Sequence, residues 1–201
     1  MGVLMQRHAI LYLCLTAAAA FMAGPAFAHT GEGLAGGLMS GFLHPILGWD
    51  HVVAMVAVGL WGAVLGAPAM WLLPVVFPLV MAFGGALGVM GVPVPAIETG
   101  IALSGVVLGL LVAFFVKAPL SVAAVIVGAF AIFHGHAHGT ELPEAANPLA
   151  YGVGFVVGTG LLHAIGIGLG LFTGHAAGRA AVRVAGVVIA AVGGLFLAGL
   201  A

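Results

Sequence analysis

Hydrophobic residues in this chain occur in long runs rather than at alternating positions. Downstream of residue 28, runs of about twenty residues or more are separated by short stretches rich in glycine and proline. The six runs cover 38–65, 70–91, 98–117, 119–138, 149–172 and 181–200. A helix of about twenty residues crosses a bilayer, whereas an outer-membrane barrel shows alternating segments of about ten residues. The pattern therefore predicts an all-α membrane protein with a bundle of six transmembrane helices.

The N-terminal segment has a different pattern. Residues 1–28 contain Arg7, then an apolar stretch from Ala9 to Met22, then a small-x-small sequence that ends at Ala28. This order is typical of a cleavable bacterial signal peptide. The apolar stretch is short for a spanning helix, and an uncleaved first helix is the alternative. We predict a signal peptide over 1–28 and a six-helix transporter domain over 29–201.

Composition agrees with a membrane protein and excludes several partners. Hydrophobic residues make up 64% of the chain and charged residues 4%, and the mean hydropathy is +1.33. No basic cluster is present that would bind nucleic acid, so the lipid bilayer is the expected environment. The 34 glycines allow helices to pack closely within a protomer or between protomers, which leaves a homo-oligomer open.

The few charges predict an orientation in the membrane. If the mature N-terminus is outside, alternating spans place every basic loop residue on the cytoplasmic side: Lys117, Arg179 and Arg183. The acidic residues then fall on the outer side: Glu32, Glu98, Glu141 and Glu144. Cytoplasmic loops carry an excess of Lys and Arg. We therefore expect an inner-membrane protein whose mature termini both lie in the periplasm.

The first run contains an unusual group of ionisable residues, His44, Asp50 and His51. Such residues are costly in lipid and usually mark function. In a continuous helix the two histidines share a face, but their backbones lie about 10 Å apart. Either the segment bends near Pro45 and Gly48 and brings the histidines together, or they serve successive positions along an ion path.

A second polar cluster closes the fourth run and comprises His134, His136, His138 and Glu141. His134 and His138 are four residues apart and share a helix face, and Glu141 follows on the same side if the helix continues. Imidazole with carboxylate suits nickel, cobalt, zinc or copper(II). The predicted topology places this cluster, the first cluster and Glu98 in the outer half of the bundle, where they would form one metal site.

Other positions lie deeper in the predicted bundle. His163, well inside the fifth run, is expected to be either a later metal station or a hydrogen-bonding packing residue. Pro74 and Pro78 should kink the second run because each removes a backbone donor. Phe77, between the two prolines, is expected to be a core residue.

These motifs resemble the HupE/UreJ family of nickel/cobalt transporters, which are associated with hydrogenase and urease maturation. The similarity covers the signal sequence, His-Pro-x-x-Gly-x-Asp-His-x-x-Ala-Met at 44–55, His-Ala-His-Gly-x-Glu at 136–141, and Leu-His at 162–163. The resemblance implies metal-ligand roles for His44, Asp50 and His51. Three further ligand candidates follow from it: Glu98, His138 and Glu141.

The resemblance implies an importer that carries nickel or cobalt from periplasm to cytoplasm, without a resident cofactor. A cytoplasmic metallochaperone is then a candidate receiver of the ion. The alternative is an intramembrane zinc-dependent hydrolase, in which the histidines hold zinc and Asp50 or Glu141 activates water. The chain lacks His-Glu-x-x-His, which favours a transporter over an enzyme. It also lacks a nucleotide-binding loop, so a potential-driven carrier or channel is the simpler mechanism.

Overall fold

The structure is a computed structural model that describes residues 37–141 and 147–200. Within these ranges the chain forms seven α-helices: α1 Gly37–Leu47, α2 Trp49–Leu65, α3 Ala69–Val89, α4 Ile97–Ala113, α5 Leu120–Thr140, α6 Pro148–Gly170 and α7 Ala176–Leu197. A short 3₁₀ helix, Leu171–Gly174, joins α6 to α7. The all-α class is confirmed. The predicted signal peptide, Glu32 and Glu144 lie outside the described residues.

The helices differ in whether they are long enough to cross a membrane. By length and apolar composition, α3, α5, α7 and α6 with its 3₁₀ extension qualify, at 21 to 27 residues each. The pair α1 and α2 makes a fifth candidate, although the two helices are bent by 78°. The remaining helix, α4, is apolar but has only 17 residues. Length therefore supports four or five spans in the described chain, and the count of six stays a prediction.

The first hydrophobic run forms two helices rather than one straight span. Its first helix ends at Leu47, and Gly48 caps the start of α2 with an extended backbone of φ −85° and ψ 111°. An α-helix cannot continue through that conformation. The structure therefore has the bend that was one of the two alternatives for this run, and α1 is a short helix that contacts α6.

Glycines let helix backbones touch directly. The contacts pair α1 with α6, α3 with α5 and α4 with α7, and α2 also lies against α6. A Cβ at Gly154 of α6 would collide with the carbonyl oxygen of Leu38 in α1. One at Gly135 of α5 would collide with the carbonyl oxygen of Met81 in α3. This close approach holds the histidine-bearing ends of α1 and α5 inside the bundle.

The last helix begins earlier than the hydrophobic run predicted. It starts at Ala176 rather than near 181, so Arg179 and Arg183 are exposed residues of α7 and not of a loop. Alanine and arginine favour helix, which explains the extension into polar sequence. His175 is the exposed N-cap of α7.

Candidate metal site

Three imidazoles from three helices meet at one point. His44 of α1, His51 of α2 and His138 of α5 each offer one ring nitrogen, and these atoms lie within 4.8 Å of one another. We call these residues the outer group; it is the only cluster of this kind in the described ranges. Metal–imidazole bonds are about 2.1 Å long, so two nitrogens on one ion lie at most about 4 Å apart. Side-chain shifts of less than about 1 Å would let one ion bind all three nitrogens.

The bend at Gly48 is what brings the two histidines of the first motif together. The ring centroids of His44 and His51 are 5.7 Å apart. Gly48 also leaves room for the side chains behind it, since a Cβ there would lie 3.0 Å from both Asp50 Oδ1 and His51 Nδ1. Of the two arrangements that the sequence left open, the structure has the bent one.

Asp50 orients the ring of His51. Its Oδ1 lies 2.7 Å from His51 Nδ1, and a carboxylate only accepts, so Nδ1–H is the donor. In the neutral form of this ring, the lone pair of Nε2 points into the outer group, where Nε2 lies 2.6 Å from His138 Nε2. A carboxylate behind a metal-binding histidine fixes its tautomer and raises its basicity. The negative charge of Asp50 therefore acts on the site through His51.

Helix ends make the outer group favourable for a cation. His44 and His138 lie in the last turns of α1 and α5, where the helix dipole is negative. Asp50 lies in the first turn of α2, and its charge offsets the positive end of that helix.

His134 lies beside the outer group but has a different partner. Its ring centroid is 5.0 Å from that of His51. Ser104 Oγ donates to the Ile101 carbonyl and lies 2.9 Å from His134 Nε2, so Nε2–H donates to Ser104. This assignment leaves the lone pair on Nδ1, which has no hydrogen-bond partner among the described residues. No sequence pattern singles out Ser104, which is a lone serine in an apolar run.

His136 does not join the outer group. It is two positions from both His134 and His138, which turns it to the other side of α5. Its Nε2 lies 2.8 Å from the Val92 carbonyl, so the ring donates to the segment between α3 and α4. His136 therefore makes a hydrogen bond to a backbone carbonyl and does not contribute a nitrogen to the outer group.

The two glutamates predicted to take part are exposed residues at helix ends. Glu98 lies in the first turn of α4, and Glu141 is the C-cap of α5, which ends at Thr140. Glu141 interacts electrostatically with Tyr151, whose ring is 6.1 Å from that of His44. Neither glutamate belongs to the outer group.

An aromatic residue that sequence reasoning missed lies against the outer group. The Phe155 ring is 4.3 Å from the His138 ring, and Tyr151 lies one turn earlier on α6. Both border a groove of about 250 Å³ between α3, α5 and α6, which His138 also lines. Most of the residues that line this groove are apolar.

His163 lies away from the outer group, within α6. It is 1% exposed, and its ring centroid is 5.5 Å from that of Phe77. Phe77 is fully buried, as expected of a core residue, and its ring is 5.7 Å from that of His134.

Comparison with known proteins agrees with the motifs. The HupE / UreJ protein family matches residues 17–196. Protein HupE of Rhizobium leguminosarum bv. viciae is 48% identical over 189 residues, which is 94% of this chain and 99% of that protein. No solved structure matches. The matched region contains the outer group, Asp50 and His163, and the chain belongs to the HupE/UreJ family.

Proposed function

We propose that this protein imports nickel, with cobalt as a second substrate, across the bacterial inner membrane for hydrogenase or urease maturation. Family membership and the helices of spanning length support a membrane transporter. The observation that carries the proposal is the convergence of His44, His51 and His138 on one point inside the bundle. Neutral imidazole is a ligand that both nickel and cobalt accept.

The proposed topology has six spans, with both termini of the mature protein in the periplasm after cleavage behind Ala28. The pair α1 and α2 is the first span, and α4 is the third, since 17 residues is about the minimum for crossing. Lys117 donates to the Val64 carbonyl, thirteen residues after His51 and so about 20 Å along α2. Arg183 lies over Phe115 near the same end. The basic residues are thus far from the outer group, which supports a periplasmic position for that group.

The outer group would capture the ion by replacing its water. The imidazole nitrogens replace water ligands, and the charge of Asp50 offsets part of the desolvation cost. The contact between His51 Nε2 and His138 Nε2 needs a proton on one of them. Both nitrogens must offer lone pairs to an ion, so on binding that proton is released to water or moves to His138 Nδ1.

Import in the inward direction agrees with the energy that a membrane provides. An inside-negative potential is worth about 2.3 kcal/mol per elementary charge per 100 mV, and a divalent ion carries two charges. The proposed carrier therefore needs no nucleotide-binding loop. A cytoplasmic metallochaperone is the proposed receiver of the released ion.

Uptake of radioactive nickel tests the proposal. We expect His51→Ala and Asp50→Asn to lose most uptake, whereas His175→Ala, a change at an exposed histidine, keeps it. Wild-type uptake in both His51→Ala and Asp50→Asn would remove the outer group from the mechanism. Ion accumulation in liposomes without turnover of any ester or peptide substrate would separate a transporter from a zinc hydrolase.

A further inference from the structure

His163 is a buried histidine whose surroundings leave it without an ordinary hydrogen bond. It is 1% exposed, and neither ring nitrogen has a partner of normal geometry among the described residues, although the Pro74 carbonyl is close. Leaving a buried polar group unsatisfied costs about 1–3 kcal/mol. A buried imidazole without a hydrogen-bond partner is expected where the ring binds an ion or other ligand that the structure does not contain.

His163 belongs to a buried column on one face of α6. Phe155, Thr159 and His163 are spaced by four residues, which places them one above the other, and they are 4%, 0% and 1% exposed. Phe155 contacts His138, so the column begins at the outer group. His163 lies two turns further along, about 12 Å deeper. Thr159 Oγ1 is also buried without a partner in the described chain.

Helix α3, which contacts α6, contains a backbone carbonyl that lacks its usual helical hydrogen bond, that of Pro74. Pro78 has no amide hydrogen, so the Pro74 carbonyl loses the donor that an α-helix normally supplies four residues later. His163 approaches this carbonyl. The ring centroid of Phe77, between the two prolines, is 5.7 Å from that of His134, beside the outer group, and 5.5 Å from that of His163. A single buried aromatic ring thus neighbours both His134 and the deeper histidine.

We propose that His163, Thr159 Oγ1 and the Pro74 carbonyl form an inner hand-over site for the divalent ion. The inference rests on the proposed transport function. One nitrogen and two neutral oxygens, with no fixed charge, bind a divalent ion weakly, which suits release rather than capture. The ion reaches this site from the outer group when the Phe77 ring turns aside.

The competing explanation is that His163 only donates a hydrogen bond to the Pro74 carbonyl, as neighbours of proline-containing membrane helices do. His163→Gln separates the two explanations because glutamine keeps a donor but lacks the imidazole nitrogen. His163→Leu removes both. His175→Leu is the matched control, since His175 is exposed at the start of α7.

The test measures two quantities with Ni²⁺ as the probe: equilibrium binding to the purified protein, and influx into liposomes that contain a metal-sensitive dye. We expect His163→Leu and His163→Gln to slow influx about tenfold or more while binding stays within about threefold of wild type. His175→Leu should match wild type in both.

Each other outcome overturns the inner site. Wild-type influx in His163→Leu would show that no hand-over occurs there, and recovery by His163→Gln alone would reduce His163 to a hydrogen-bond donor. If both His163 variants lost Ni²⁺ binding, His163 would be a residue that keeps the outer group in its geometry and not a ligand of a second site. Unchanged binding and influx in His51→Ala would instead refute the proposed function itself, so the two failures are distinguishable.

Discussion

The outer group and the His163 region contain the same type of side chain in opposite environments. In the outer group three imidazoles share one point, a carboxylate stands behind His51, and two helix C-termini add negative potential. At His163 a single buried imidazole lies near the Pro74 carbonyl and shares a face of α6 with Thr159 and Phe155, and this column contains no charged residue. In the proposed mechanism this difference gives strong capture of the ion at the outer group and weak binding at His163.

The largest effect is expected when two members of the outer group are removed. His51→Ala with His138→Ala should weaken Ni²⁺ binding by about 100-fold or more, because two of three nitrogen ligands disappear. His163→Leu should leave binding nearly unchanged. Equilibrium binding measured by calorimetry checks both. Equal losses in the two proteins would mean that the two regions form one site, and the contrast between them would vanish.

A smaller loss is expected from Asp50→Asn. The amide cannot supply the negative charge that holds His51 in its tautomer, and changes behind a ligand typically cost about 10- to 100-fold in metal affinity. Thr159→Val, an isosteric change in the inner column, should leave equilibrium affinity as it is and slow influx only. If Asp50→Asn binds Ni²⁺ like wild type, the carboxylate has no role at the outer group.

The third effect in size is expected from the contact between α1 and α6, because this contact holds the helix that carries His44. Gly154→Ala places a methyl group against the Leu38 carbonyl and should push α1 from α6 at a cost of about 1–3 kcal/mol. Gly152→Ala on the same helix is the control, since its Cβ would have nothing within 4 Å. Thermal unfolding in detergent should show a lower midpoint for Gly154→Ala only. Equal midpoints would show that this contact does not hold α1 in place.

The smallest effect is expected at His136. His136→Ala removes the hydrogen bond to the Val92 carbonyl, which is worth about 1 kcal/mol of stability. Nickel affinity should stay within about threefold of wild type because the ring points away from the outer group. A loss of affinity as large as that of the double histidine variant would restore His136 to the list of ligands.

Local pattern predicted the helices well but could not define the site alone. Hydrophobic runs gave the helical class, and Pro45 with Gly48 indicated where the first run bends. Spacing put His134 and His138 on one face of α5. In the structure, however, His134 contacts Ser104, whereas His138 contacts His51. Those partners come from other helices, and only tertiary packing decides them.

Two other differences have local physical reasons. Phe155 could not be singled out in sequence because an aromatic residue in an apolar run is equally consistent with a lipid-facing position. The start of α7 was misplaced because hydropathy marks the apolar part of a helix, whereas the first turn of α7, from Ala176 to Arg179, precedes the apolar run.

X-ray absorption of the purified protein loaded with one equivalent of Ni²⁺ asks whether one ion binds all three imidazoles of the outer group. The wild-type spectrum should contain scattering from three imidazole rings, and the spectrum of His44→Ala should contain two, with the missing ring replaced by a water oxygen. Identical spectra from the two proteins would contradict the shared site, because His44 would then stand apart from the ion held by His51 and His138.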